Sequence, residues 1–294
     1  MSVPLFLLIT FCYLPFFKMM QFSLYEMKYI GKRVYVEFNN YKELFSRPEI
    51  LNSLWLSLYY FAASFVQLGL ALYFACILSF NLKGGDYFKG VIFFPYLVCG
   101  IAVGFIFKFF FTRGFVLDTA LSWLGFKTQN LPKWLSSDIN NVMLASTSVW
   151  RYLGQNMVLF IGAITSVDPD LYESAEIDGA TGWDKFIHIM LPGIRTIIVL
   201  TLIISISGSI SVFEPPFVIT KGNFGTGTFF VVMHQMAHEK QKVGLACAMA
   251  VFLLCVIIVV TAIQQGVNKF LFEEDKQGYT FAERKIRKRV KSQK

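Results

Sequence analysis

The sequence is poor in charged residues. Asp, Glu, Lys and Arg make up 16% of its 294 residues, whereas a soluble domain carries about 25%. Hydrophobic residues make up 55%, and phenylalanine alone occurs 32 times. The gaps between the long apolar runs are too short for a separate catalytic domain. These features exclude an ordinary water-soluble domain and predict one all-α integral membrane domain.

Metal-ligating residues are also scarce. The 5 cysteines form no C-x-x-C pair, and there are 3 histidines. His234 and His238 stand four residues apart beside Glu239, a spacing that can bind zinc, but no third ligand is suggested nearby. We predict neither a metal nor a cofactor.

Catalytic motifs are missing as well. No G-x-x-x-x-G-K-[ST] phosphate loop occurs, and the glycine-rich run 179–182 lacks the required lysine. No serine nucleophile elbow and no paired catalytic carboxylates stand out. The chain is therefore not predicted to be an enzyme, and it should not hydrolyse ATP itself.

Long apolar runs predict six transmembrane helices. They cover residues 4–25, 51–82, 89–107, 140–167, 196–213 and 243–268. The first is expected to be a retained helix, because it lacks the basic start and small-residue cleavage site of a signal peptide. The domain prediction is a transmembrane domain at 1–272 and a basic tail at 273–294. The basic tail is predicted to be either solvated or in contact with anionic lipid, and nucleic-acid binding is less favoured.

The loop at 168–192, between the fourth and fifth predicted spans, contains two helix starts. Asp168 before Pro169 is an N-cap signal, and Thr181 with Asp184 resembles a capping box. Gly179 allows a left-handed turn between them, and Pro192 should kink the entry to the fifth span. The loop is predicted to form two short helices at an angle.

The same loop carries a spaced motif. Glu173-Ser174-Ala175 is followed after three residues by Gly179, and nine residues later by Ile189-Met190-Leu191-Pro192. This pattern resembles the cytoplasmic coupling loop of ABC importer permeases, with Ser174 as the one departure. The alternative is an amphipathic loop on the membrane surface, but its excess of acids would repel an anionic leaflet. The resemblance implies that an ATPase subunit contacts Tyr172, Glu173, Ala175, Asp178, Gly179, Leu191 and Pro192.

Other segments are similar to the carbohydrate branch of these permeases, the maltose-type and glycerol-phosphate-type importers. They are Phe38-Asn39-Asn40-Tyr41, Trp150, Leu171-Tyr172-Glu173, Ile177-Asp178-Gly179-Ala180 and Phe217-Val218-Ile219-Thr220. The resemblance implies a multi-pass protein in a prokaryotic plasma membrane, with both termini cytoplasmic. It also implies a heterodimer with a second permease subunit, two ATP-binding cassette subunits, an extracytoplasmic solute-binding protein and a sugar solute.

Arg151 is the one strongly placed charge within a predicted span, and Glu214 ends the next span at a similar depth. An intramembrane charge is a candidate functional residue. Two readings remain open: Arg151 pairs with Glu214, or it meets the acidic group of an acidic sugar or a phosphorylated polyol. A secondary transporter is the less favoured class, because no internal repeat is visible. The resemblance implies a solute pathway among Trp150, Arg151, Tyr152, Gln155, Asn156, Ser211, Phe213 and Glu214.

Overall fold

The structure, a computed structural model, describes residues 2–80, 82–136 and 138–292, and the side chains of residues 3–80, 82–136 and 138–268. This part of the chain is mostly helical. A single two-stranded antiparallel hairpin pairs β1 (Tyr25–Glu26) with β2 (Val34–Tyr35). The predicted all-α class is therefore correct apart from this short hairpin.

Four helices form the centre of the fold: α5 (Ser57–Leu78), α6 (Gly85–Leu97), α9 (Asn140–Thr165) and α12 (Leu191–Ile210). Helix α9 packs against each of the other three. Ala71 and Ala75 of α5 are fully buried in the core shared with α9 and α12. Small residues let membrane helices approach closely, which increases van der Waals packing where lipid supplies no hydrophobic driving force.

Helix α6 crosses α9 at a point of backbone contact. Gly154 of α9 lies against the Ile92 carbonyl, and a Cβ added there would lie 2.6 Å from Phe93 Cα. No side chain fits that space, so the crossing requires glycine.

The third predicted span is broken. Helices α6 and α7 (Gly100–Phe111) meet at a bend of 98°. Pro95 removes a backbone donor near the end of α6, and Val98 and Cys99 have extended backbones. The prediction of one continuous helix through Pro95 and Gly100 is wrong, because hydropathy alone does not register a break between two apolar helices.

The remaining elements lie around this centre or follow it. In chain order they are α1 (Ser2–Leu8), a π-helical turn (Ile9–Tyr13), α2 (Leu14–Phe22), α3 (Asn39–Ser46), α4 (Pro48–Trp55), α8 (Val116–Trp123), a 3₁₀ turn (Thr128–Asn130), α10 (Pro169–Ile177), α11 (Gly182–Lys185), a π-helical turn (Phe186–Met190), a π-helical turn (Pro216–Thr220), α13 (Phe229–His238) and α14 (Val243–Ser292).

Asn40, part of the Phe38–Tyr41 motif, ties the elements after α2 together. Its side-chain amide donates to the carbonyls of Ser23 and Tyr25 at 2.8 and 3.0 Å. The Tyr25 carbonyl also lies against Gly244, at the start of α14. Through these hydrogen bonds, Asn40 holds the segment that directly follows α2 in place.

Within the described residues, four helices are long and apolar enough to span a membrane: Val3–Phe22, Pro48–Leu78, Gly182–Ile210 and Val243–Asn268. The bent α6–α7 pair is a fifth candidate. The predicted fourth span forms helix α9, but its sequence is too polar to meet the same test. The count of six spans therefore stays a prediction.

The predicted fifth span begins earlier than expected. Helix α11, the π-helical turn Phe186–Met190 and α12 follow one another without a break. Pro192 lies just after this turn and has no N–H to donate to the preceding turn of helix. The segment Gly182–Ile210 passes through this π-helical turn as one helical span, and the kink at Pro192 stays a prediction.

The chain divides into two units, Met1–Leu253 and Leu254–Lys294. The first contains the central helices, the hairpin and every element before α14. The second contains the later part of α14 as far as Ser292. The basic tail predicted at 273–294 lies outside the residues whose side chains are described.

Candidate functional site

A cavity of about 480 Å³ lies among α5, α9, the α6–α7 break and the end of α12. Seven of the eight predicted pathway residues line it: Arg151, Tyr152, Gln155, Asn156, Ser211, Phe213 and Glu214. Trp150 does not line it and packs instead with its ring edge-on to Phe107, with 5.2 Å between the ring centroids. Neighbouring residues of a helix point about 100° apart, so Trp150 and Arg151 face different surroundings.

Arg151 and Glu214 form an ion pair at the edge of this cavity. Nη1 of Arg151 donates to Oε2 of Glu214. The guanidinium also lies over the Tyr152 ring, 5.1 Å from its centroid. The Arg151 side chain is 17% exposed and the Glu214 side chain 41% exposed. The structure contains the internal pair of the first reading, and contact of Arg151 with a solute stays a prediction.

The pair lies directly against the start of α7. A Cβ at Gly100 would overlap the Glu214 carboxylate and the Arg151 guanidinium. Positive helix-dipole ends favour nearby anions, so the N-terminus of α7 and Arg151 both stabilise the Glu214 charge. A Cβ at Gly104 would likewise collide with Val218, so α7 is held closely against the turn that follows Glu214.

Polar residues of α5 also line the cavity and were not predicted from the sequence. Tyr60, Ser64 and Gln67 line the cavity, and the Tyr60 hydroxyl is buried with no hydrogen-bond partner among the described residues. Their spacing of four and three residues puts them on one helix face. A polar stripe within an uncharged apolar run was the available signal.

The histidines considered as metal ligands belong to an aromatic cluster. His234 contacts the rings of Phe213 and Phe217 at centroid distances of 5.4 and 4.8 Å, and His238 at 4.3 Å. The hydroxyl of Tyr29 lies 2.9 Å from His238 Nδ1. Across the described residues, no group of three His, Cys, Asp or Glu side chains could hold a metal ion.

The 168–192 loop folds as its sequence signals predict. The Asp168 side chain accepts from the Asp170 N–H, which caps α10. Gly179 has a φ of +77° and ends that helix with a left-handed turn. Thr181 and Asp184 form a reciprocal capping box, and these hydrogen bonds from Thr181 lower the pKa of Asp184. Local sequence signals therefore fix this helix pair.

The predicted contact residues of the loop do not all face the same way. Glu173, Asp178 and Gly179 are exposed, as is Pro192 at the start of α12. Ala175 and Leu191 are half-buried. Tyr172 points toward a second cavity of about 690 Å³ against the end of α5, and its hydroxyl there is buried without a described partner.

Apolar side chains extend the exposed surface of the loop. Ile177 is 87% exposed, Trp183 68% and Leu171 53%. An exposed cluster of large apolar residues beside acidic ones is typical of a protein-binding surface. Ile177 and Trp183 were not among the contact residues predicted from the sequence.

One ion pair joins the two helices of the loop. Nζ of Lys185 lies 2.5 Å from Oε1 of Glu176, and this contact lowers the pKa of Glu176. A carboxyl with a lowered pKa stabilises the fold above its unfolded pKa, and that contribution is lost as pH falls through the folded pKa.

We expect Glu176→Lys to loosen the α10–α11 pair, because two lysines would then face each other. Amide hydrogen exchange at 180–184 should quicken by about two- to fivefold, as for a solvent-exposed pair. The double variant Glu176→Lys/Lys185→Glu restores opposite charges and should return to the original rate. Equal exchange in all three proteins would show that the ion pair does not hold the helices together.

The chain matches the family described as binding-protein-dependent transport system inner membrane component over residues 67–272. It is 32% identical over 250 residues to the arabinooligosaccharides transport system permease protein AraP of Bacillus subtilis (strain 168), covering 81% of this chain and 75% of that protein. It is 27% identical over 279 residues to the multiple sugar-binding transport system permease protein MsmF of Streptococcus mutans, covering 91% and 93% respectively.

A solved structure has the same fold. It is the crystal structure of a bacterial ABC transporter involved in the import of the acidic polysaccharide alginate, with a TM-score of 0.81. The alignment covers 92% of this chain and 94% of that chain at 20% sequence identity. A likeness at this identity establishes the shared fold.

Proposed function

This chain belongs to the family of binding-protein-dependent transport system inner membrane components, and we propose that it forms half of the solute pathway of an ATP-driven sugar importer. As a member of this family it is a multi-pass plasma membrane protein and a translocation component, not an enzyme. In this proposal it couples movement of partner ATPases to alternating access of the pathway, a rigid-body switch between two states.

The observation that carries the proposal is the exposed helix pair of the 168–192 loop. Its left-handed glycine turn and capping box give it a defined shape, and its acidic and apolar side chains are exposed. These properties suit a protein pocket, and the loop is the proposed docking element for an ATPase subunit. Because the ATPase subunits lie in the cytoplasm, this role places the loop on the cytoplasmic side. With six spans, both chain termini then lie on that side as well.

The membrane arrangement follows from that assignment. Six spans are proposed, with α9 crossing at the centre of the bundle and the α6–α7 pair counted as one broken span. A polar α9 is tolerable in a membrane because its polar residues face neighbouring helices and a cavity. The long connections at 23–47, 112–139 and 211–242 then lie on the outer side, where a solute-binding protein would dock.

A sugar or oligosaccharide is the proposed solute. The cavity combines aromatic rings with hydroxyl and amide groups, including Tyr60, Tyr96, Gln155 and Asn156. Such a lining orients a polar ligand through a few hydrogen bonds and apolar ring faces. Relatives named for arabinooligosaccharide and multiple-sugar transport support the same class.

The import function is tested by reconstituting the chain with its ATPase and solute-binding partners in proteoliposomes. We expect sugar uptake that requires ATP and the binding protein, and that stops when the ATPase loses its phosphate-loop lysine. Uptake that follows an ion gradient without ATP would instead identify a secondary transporter.

We further expect a heteromeric complex. The native mass of the detergent-solubilised transporter should correspond to one copy of this chain, one different permease subunit and two ATPase subunits. Two copies of this chain with no second permease would overturn the heterodimer.

A further inference from the structure

The cavity is lined by one carboxylate and one guanidinium, and the carboxylate side chain is the more exposed of the two. Among the cavity-lining residues that the structure describes, Arg151 and Glu214 are the charged ones. Glu214 is the more exposed of the two, 41% against 17%, and only its Oε2 has a described hydrogen-bond partner. Arg151 directs Nη1 at Glu214 and Tyr152, while its Nε is buried without a described partner. Oε1 of Glu214 is therefore available to accept a hydrogen bond from a solute.

Several hydroxyl groups that line the cavity can only accept a hydrogen bond from a solute. Four of them donate their proton to a carbonyl of their own helix, at 2.7–2.8 Å: Ser64 to Phe61, Thr147 to Leu144, Ser209 to Ile206 and Ser211 to Ser207. Each of these oxygens then has only lone pairs left to offer a ligand. The amide of Asn156 likewise donates to the Tyr152 carbonyl at 3.3 Å.

These two features favour one kind of solute. A sugar hydroxyl can donate to a carboxylate or to a hydroxyl lone pair, whereas an ionised carboxyl or phosphate can only accept. An acidic solute would meet the like charge of the Glu214 carboxylate, which repels it. Arg151 would attract it less than a free guanidinium would, because Glu214 already neutralises the charge of Arg151.

We propose that this cavity selects uncharged, hydroxyl-rich solutes and excludes carboxylate-bearing ones, with Glu214 as the specificity-determining residue. The inference deepens the proposed import function and rests on it. Arg151 then acts as a positioning residue, which holds the Glu214 carboxylate against the start of α7.

The test measures equilibrium binding to the purified permease–ATPase complex in nanodiscs, without the solute-binding protein. The neutral probes are galactotriose and arabinotriose, and the acidic probe is trigalacturonate, the uronate counterpart of galactotriose. We expect at least one neutral probe to bind about tenfold or more tighter than trigalacturonate. Glu214→Gln should reduce this ratio about tenfold, and the matched control Glu239→Gln, on an exposed residue outside the cavity, should leave it unchanged.

The ratio of two dissociation constants does not depend on how much of a variant is folded, so partial instability of Glu214→Gln does not obscure the result. Gln155→Lys provides a second variant that leaves the ion pair intact. It adds a cation to the cavity lining and should raise trigalacturonate affinity about tenfold.

Trigalacturonate binding as tight as that of both neutral probes, with ATP-driven uptake intact, would overturn the selectivity and make Arg151 a ligand for acidic solutes. Failure of every probe to bind would also overturn it, because a site for hydroxyl-rich solutes must hold one of them. The import function is judged separately, by the uptake assay.

Discussion

Replacing Gly154 with leucine will prevent this chain from folding into a stable complex. Gly154 lies where α9 crosses α6, and a Cβ there would overlap the Ile92 carbonyl and approach Phe93 Cα. Both obstacles are backbone atoms, so no side-chain rotation relieves the clash and the helices must separate. Overpacking a core usually destabilises by about 1–3 kcal/mol, and we expect more here because α6 and α9 are both central helices.

The matched control for Gly154→Leu is Gly162→Leu, two turns further along the same helix. Gly162 is exposed, and a Cβ there meets nothing within 4 Å. Leucine is a better helix former than glycine by up to about 1 kcal/mol, so this variant should fold normally. Yield and thermal midpoint of the purified chain measure the difference. Normal yield of Gly154→Leu would show that the α6–α9 crossing is not as close as the structure has it.

The parts of the site that could be predicted from the sequence are those determined by residues close together in the chain. Asp168, Gly179 and the Thr181–Asp184 box act within a few residues of chain, so their spacing alone specifies the caps and the turn. The Arg151–Glu214 pair could be proposed because two charges at similar depth in adjacent apolar segments have few other partners. The close approach of Gly100 to this pair could not be predicted, because it depends on how α7 packs in three dimensions.

Other features escaped prediction because hydropathy averages over them. The α6–α7 region is apolar throughout, so its 98° break resembles a single span in any sliding window. Helix α9 shows the opposite effect, since its polar residues line a cavity and lower its hydropathy although it lies at the centre of the bundle. Tyr60, Ser64 and Gln67 were overlooked because they stand singly in an uncharged run, where only their shared face identifies them.

The second large effect is expected in the 168–192 loop, the proposed docking element: Gly179→Asp should uncouple the transporter. Gly179 has a φ of +77°, which L-residues adopt at a cost of about 1 kcal/mol. Within the chain itself a Cβ at this position meets nothing within 4 Å, so the substitution should not prevent folding or insertion. The exposed turn lies beside Asp178, and a further carboxylate there adds both volume and negative charge to the proposed docking surface.

We therefore expect solute uptake and solute-stimulated ATP hydrolysis to fall together by about tenfold or more in Gly179→Asp, because a tenfold loss corresponds to only about 1.4 kcal/mol of docking free energy. The control is Gly84→Asp, the same substitution at a glycine with the same φ of +77° and the same absence of neighbours within 4 Å. It imposes equal backbone strain outside the loop and should keep both activities. If Gly84→Asp loses as much activity as Gly179→Asp, backbone strain explains the loss and the 168–192 loop loses its assignment. If Gly179→Asp keeps full coupled activity, the ATPase contact does not include this turn, because a buried interface does not tolerate an added unpaired charge.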